Sequence, residues 1–263
     1  VSQPGPPPPP PPPPRAIVVS VRDVAQRFGA RVIFEHVSLE VARGDVFVIL
    51  GTSGCGKSTL MKQIIGLLPP SAGRIEVLGH DMYGARGDVL RGIGVMFQSG
   101  ALFGSMTLLE NVMLPLEMYT ALPREGREAV ARVKLGLVGL ADAATLLPDE
   151  ISGGMAKRAG IARALALDPP LLFLDEPSAG LDPSTSAGLD ALILELRAAL
   201  GVTFVVVTHE LQSILAIADR CIMLDRAARG MIAEGDPKRL RDTGTDPTVR
   251  AFFRRQVAPA AAA

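Results

Sequence analysis

The sequence predicts an α/β fold with a mainly parallel core sheet, and three observations carry that prediction. A continuous apolar run at residues 45–50 empties into a glycine-rich loop and then a helix-compatible stretch. A second apolar run, residues 171–174, ends in two adjacent acids. From there strands and helices alternate to the end, and short apolar runs without polar alternation suit parallel strands buried on both faces.

Taken in order, residues 1–15 hold a proline tract that forms only extended polyproline II, so this segment is expected to be disordered and outside the fold. Val1 in place of Met is expected of a trimmed or processed chain. Residues 17–19, 31–34 and 37–41 read as short strands ahead of the run at 45–50. After the glycine loop a helix is expected over 60–68, closed by Pro69 and Pro70. Residues 72–97 read as further strands and a short polar helix. Residues 104–168 are helix-rich, with breaks expected at Pro115, Pro123 and Pro148, and look like a helical insertion. Then follow the strand at 171–174, a helix from about 184 to 200, a strand at 202–207, and alternation up to an Ala-rich tail, 257–263, expected to be disordered.

The 263 residues, 48% of them hydrophobic, can bury a sizeable core. Twenty-seven basic and 27 acidic residues cancel, so no net field points to a nucleic-acid partner. Cys55 and Cys221 are too few for a disulfide framework or a zinc site, which fits a reducing compartment. No apolar run approaches the roughly 18–20 residues needed to cross a bilayer. Nor does the start show the basic-then-apolar pattern of a secretory signal.

Chemistry concentrates in three places. Gly51-Thr52-Ser53-Gly54-Cys55-Gly56-Lys57-Ser58-Thr59, between strand and helix, matches the phosphate-binding loop pattern. Its glycines let backbone N–H groups turn inward around phosphates at a helix N-terminus. Lys57 is positioned to reach the β and γ phosphates of a nucleotide and Ser58 to ligate Mg²⁺. Asp175 and Glu176 close a buried strand, where the first carboxylate can hold Mg²⁺ and the second can polarise an attacking water. Ser152-Gly153-Gly154 opens a further helix pattern and offers a second anion site, a hydroxyl with free backbone N–H groups.

Ser152-Gly153-Gly154 followed by the apolar strand and Asp175-Glu176 resembles the signature and Walker B motifs of ABC transporter ATP-binding subunits. The resemblance spans residues 17–256 and extends to Gln98 as the Q-loop glutamine, to residues 178–182 ending in Asp182 as the D-loop, and to His209 as the switch histidine. Phe28 sits where the family places an aromatic that stacks on adenine, with Phe34 as its rival. The resemblance implies an ATPase using ATP and Mg²⁺. It implies a P-loop NTPase core over 16–256, an antiparallel β segment and a helical subdomain at about 99–168. Glu176, His209 and Gln98 would be catalytic, and Ser58, Gln98 and Asp175 would face the metal. It also implies a head-to-tail homodimer in which each ATP lies between the phosphate loop of one copy and residues 152–155 of the other.

Met155 stands where the family's signature usually has Gln, and Ser152 with the backbone of Gly153 and Gly154 is expected to suffice for the γ phosphate. With residues 96–103 and 246–252, this departure is similar to the ATPases of MCE-type lipid transporters, often called Mla, which move phospholipids between bacterial inner and outer membranes. That resemblance implies integral-membrane permease subunits, an MCE-domain lipid-binding protein and a small STAS-like subunit. It implies a position on the cytoplasmic face of the inner membrane, with residues 99–115 receiving the permease. An ABC importer or exporter with other cargo is the alternative. A DNA-repair ATPase would need a long coiled coil between Ser58 and Ser152, and no sustained heptads occur there.

Overall fold

The computed structural model describes residues 15–84, 86–98 and 100–254. The expected proline-rich segment, but for Arg15, and the Ala-rich tail lie outside the described residues.

Two sheets organise the chain. Strands β1 (Ile17–Phe28), β2 (Arg31–Ala42), β4 (Ala72–Val77) and β5 (His80–Asp81) form an antiparallel sheet in the order β2-β1-β4-β5. The core sheet is six-stranded, β10-β9-β3-β8-β7-β6, from β3 (Val46–Gly51), β6 (Ile93–Met96), β7 (Leu171–Asp175), β8 (Thr203–Val207), β9 (Arg220–Asp225) and β10 (Gly230–Gly235). Five of these are parallel; only the hairpin partner β10 runs against its neighbour.

The parallel strands are apolar throughout because both faces are covered. Val46, Val48, Leu172, Leu174, Phe204 and Val206 face one core, and Phe47, Ile49, Leu171, Phe173, Val205 and Val207 the other. The first core packs against α3 (Leu108–Tyr119), α4 (Arg124–Leu137), α5 (Gly153–Ala164), α6 (Pro183–Leu200), α7 (Leu211–Ile217) and α9 (Pro247–Phe253). The second is closed by α1 (Lys57–Ile64), by α2 (Arg86–Arg91) through Val89, and by the antiparallel sheet. The remaining helix, α8 (Pro237–Thr243), lies beside β10 and α9.

Four expectations are corrected. The short strands expected at 17–19, 31–34 and 37–41 are two continuous 12-residue strands, β1 and β2. Charged residues interrupt their apolar pattern, but Asp23 (φ 49°) and His36 (φ 55°) turn left-handed beside irregularities that absorb them without ending the pairing. The helix expected over 60–68 instead runs 57–64 and stops before Gly66 (φ 76°), ahead of the prolines. Pro115 does not break a helix but lies inside α3. Leu108, Leu109, Val112 and Leu116 bury one face across it. Thr107 and Glu110 form a reciprocal cap, and buried Asn111 ties the helix to the Phe103, Met106 and Thr107 carbonyls. Burying four apolar side chains at about 1.5–3 kcal/mol each outweighs the roughly 3 kcal/mol a helical proline costs. The strand expected from 202 begins at Thr203, whereas the helix expected from about 184 to 200 is present as Pro183–Leu200, capped by Asp182.

Candidate active site

Parallel strands place their C-terminal ends on one edge of the sheet, where open α/β sheets bind ligands. β3 ends there in Gly51, β7 in Asp175, β8 just before Thr208 and His209, and β6 two residues before Gln98. A cavity of about 750 Å³ opens at this edge, lined by Gly51, Thr52, Ser53, Gly54, Gly56, Lys57, Ser58, Thr59, Gln98, Glu176, His209 and Phe28, with Arg31, Ile33 and Phe252.

The loop is built for close backbone approach. Gly51 (φ 146°) passes the β9 backbone so tightly that a Cβ would lie 2.2 Å from the Leu224 carbonyl. At Gly56 (φ 105°) a Cβ would meet the Phe34 ring at 2.7 Å. Gly56 caps α1 with no side-chain acceptor, which leaves the first-turn N–H groups to face the cavity. The Lys57 ammonium, largely buried, donates to the Gly51 carbonyl at 2.9 Å and the Thr52 carbonyl at 3.3 Å. It is thus held folded over its own loop.

Beneath the loop, Ser58 Oγ donates to Asp175 Oδ1 at 3.4 Å. Burial pushes the Asp175 carboxyl up, and the neighbouring Glu176 charge adds to that, against the opposing pull of the Ser58 hydroxyl, Lys62 and Lys57. A carboxyl with a raised folded-state pKa stabilises the fold at low pH and loses that contribution as pH rises through its pKa. Asp175→Asn keeps an acceptor for Ser58 without the buried charge. The nucleotide-free variant should therefore melt higher than the parent at pH 7, by about 2–4 °C per kcal/mol for domains near this size. Melting curves taken at successively lower pH should show the gap closing. A lower melting temperature for the variant at pH 7 would contradict this electrostatic account.

Glu176 adopts a left-handed conformation (φ 47°), rare for a residue with a side chain. Its N–H donates to the Val207 carbonyl at 2.8 Å, and its carboxylate meets His209 Nδ1 at 2.9 and 3.0 Å. Of the two aromatic candidates, Phe34 is fully buried under the loop, whereas Phe28 is 51% exposed and lines the cavity. Cys55 turns its thiol inward beneath Gly51, and burial pushes its pKa up; its N–H is used inside the loop, on the Thr52 carbonyl.

Ser152, Gly153, Gly154 and Asp182 do not line this cavity. Ser152 caps α5, accepting from Met155 N–H at 3.3 Å. Gly154 lies at a close helix crossing, where a Cβ would be 2.5 Å from Thr185 of α6. Asp182 caps α6 through the Ser184 and Thr185 N–H groups and the Thr185 hydroxyl, which together hold its carboxyl low, the hydroxyl most. Met155 packs half-buried against the first core. Three lining residues escaped sequence reasoning. Arg31 and Ile33 share a face of β2 by their period-2 spacing, a signal that could have grouped them. Phe252 arrives from the far end of the chain, and no local pattern announces it.

Residues 34–179, more than half of the chain, match the family described as ABC transporter. The chain is 43% identical over 242 residues, 90% of its own length and 89% of the relative's, to the intermembrane phospholipid transport system ATP-binding protein MlaF of Escherichia coli K12. It is 40% identical over 248 residues, 92% of its length and 71% of the relative's, to the probable ribonucleotide transport ATP-binding protein mkl of Mycobacterium leprae. Among solved structures, the dimeric ATP-binding cassette MJ0796, in a post-hydrolysis state bound to ADP and Pi, superposes with a TM-score of 0.74 at 30% identity. That match covers 83% of this chain and 98% of the cassette. A phosphate loop beside a strand-end carboxylate pair and a contacting histidine is the equipment such a cassette requires, and the chain belongs to the ABC transporter family as an ATP-binding, ATP-hydrolysing subunit.

Proposed function

We propose that the chain powers an MCE-type ABC transporter that moves phospholipids or related lipids between inner and outer membranes. The observation that carries this cargo is the 43% identity, over nine-tenths of the chain, to a subunit named for intermembrane phospholipid transport. A second reading, transport of a different cargo, draws on the 40% identity to a relative named for ribonucleotide transport.

In this reading the cassette spans residues 16–256, with a helical subdomain at about 99–168. Phe28 stacks on adenine, while Lys57 and the free amides of the 51–59 loop, Cys55 apart, hold the β and γ phosphates. Ser58, Asp175 and, from across the cavity, Gln98 are oxygen donors of the kind Mg²⁺ prefers. Mg²⁺, when bound, supplies charge stabilisation to the phosphoryl group being transferred. Glu176 accepts a proton from the water that attacks the γ phosphorus as the bond to ADP breaks, and His209 orients the Glu176 carboxylate. Ser152 keeps its hydroxyl proton free while it caps α5, so the α5 N-terminus suits a phosphate supplied by a second copy. Two copies would then pair head to tail, with Asp182 at the junction, and their closing and opening would drive the permease.

ABC cassettes dimerise and work with membrane permeases, and no helix among the described residues is long and apolar enough to cross a membrane. The chain would therefore be held on the cytoplasmic face of the inner membrane by its permease, received along residues 99–115. An MCE-domain lipid-binding protein and a small STAS-like subunit would complete the assembly. Affinity isolation of the tagged full chain from its own membranes should bring down a permease, an MCE-domain protein and phospholipid. Recovery of an amino-acid-, sugar- or nucleotide-binding protein instead would replace the lipid reading.

A further inference from the structure

Lys157 lies one turn into α5 and is only 7% exposed. Its ammonium donates to two main-chain carbonyls, that of Glu176 at 3.1 Å and that of Gln98. Burial pulls its pKa down, against the opposing charges of Glu176 and Asp175. A buried cation is costly unless its donors are used, and these donors join the segments that follow two neighbouring strands of the core sheet. One carbonyl belongs to the turn after β7 and the other to the loop after β6.

Both segments need fixing. Glu176 holds a left-handed backbone, which is unfavourable for a residue with a side chain. Its N–H is anchored on Val207, so the Lys157 bond to its carbonyl fixes the opposite side of the residue. With both flanking peptides held, the direction of the side chain towards His209 is set. The Gln98 loop is clamped to the same helix a second time, where the Arg163 guanidinium donates to the Gly100 and Ala101 carbonyls at 2.9 and 2.7 Å. Helix α5 therefore carries the Gln98 loop with it, and meets the Glu176 carbonyl through the Lys157 ammonium.

We infer that Lys157 is a positioning residue for hydrolysis, a strut that keeps Glu176 and Gln98 in register with each other and with the α5 helix. The inference rests on the roles proposed above for Glu176 and Gln98. Removing the ammonium strands two carbonyls but also relieves a buried charge, two opposing changes in stability, so the effect belongs in turnover more than in folding.

In the full chain, Lys157→Met should lower kcat roughly 10- to 100-fold, the scale of a misplaced catalytic group, with KM for ATP within about 3-fold. The melting temperature should stay within about 3 °C of the parent. In a Glu176→Gln background the same substitution should cost several-fold less in single-turnover rate than in the parent, because the part of the effect that runs through the Glu176 carboxylate is already lost and only the part through Gln98 remains. Lys157→Gln, a shorter neutral donor, should fall between, and carries the same readouts if the methionine variant does not fold. Unchanged kcat in Lys157→Met, equal losses in both backgrounds, or a kcat loss matched by a loss of melting temperature would each overturn the strut. Full turnover in Glu176→Gln alone would instead sink the role of Glu176, so the two failures are distinguishable.

Discussion

Glu176→Gln should bind ATP as the parent does while turnover falls by about 10²- to 10⁴-fold, the usual worth of a positioned general base. The substitution keeps the size and shape of the side chain and one acceptor oxygen for His209 Nδ1, so the left-handed turn and its bond to Val207 persist. What disappears is the carboxylate able to take the proton from water. ATP bound but not hydrolysed should hold two copies together, so the variant should shift towards dimer on sizing columns when ATP and Mg²⁺ are present. Turnover at the parental rate would mean that another group activates the water.

Lys57→Met should remove most ATP binding. A charge-assisted hydrogen bond contributes about 1.5–3 kcal/mol, or roughly 10- to 150-fold in affinity. The loss should sit at the upper end because the ammonium is pre-positioned by the Gly51 and Thr52 carbonyls, so little ordering remains to be done on binding. Titration with a fluorescent ATP analogue would measure this directly. Binding of adenosine, which has no phosphates, should be nearly unchanged. A parallel loss of adenosine binding would show that the substitution disrupts the cavity as a whole instead of the phosphate cradle.

The two substitutions separate binding from chemistry within one cavity, and their contrast with Asp175→Asn adds the electrostatic layer. Asp175 is raised by burial, so at neutral pH its charge is a cost to the empty fold. In the proposed function that charge, held near Ser58, would face Mg²⁺, so the site keeps in place a group that is unfavourable to the empty fold.

Much of this site was legible in the sequence because its main parts are local. The strand, glycine loop and helix at residues 45–64 form one contiguous unit, and their chemistry follows from residue type and spacing. The same holds for Leu171 to Glu176, and for Ser152 ahead of α5, whose capping role needs only its neighbour Met155. Features that depend on distant partners were not legible. The sequence places Phe28 on the adenine and leaves Phe34 as its rival, and only the packing of Phe34 beneath Gly56 removes it from the cavity. Pro115 looks like a helix break until the buried face across it and the Asn111 ties are seen. Nothing local singles out Lys157 on its helix, because the carbonyls it serves lie 59 and 19 residues away.

The sequence by itself determined the α/β class, the parallel order implied by apolar strands, the phosphate loop and the carboxylate pair. Each rests on spacing within a single element or across one turn, and such spacing survives in any fold that contains the element. Tertiary structure alone decided which strand ends share an edge, and so brought Gln98, Glu176 and His209 around Lys57 and Ser58. It also decided that the local caps made by Ser152 and Asp182 lie away from that cavity. The physical reason is that sheet order and helix crossings are set by burial summed over the whole core, a quantity no local stretch of sequence contains.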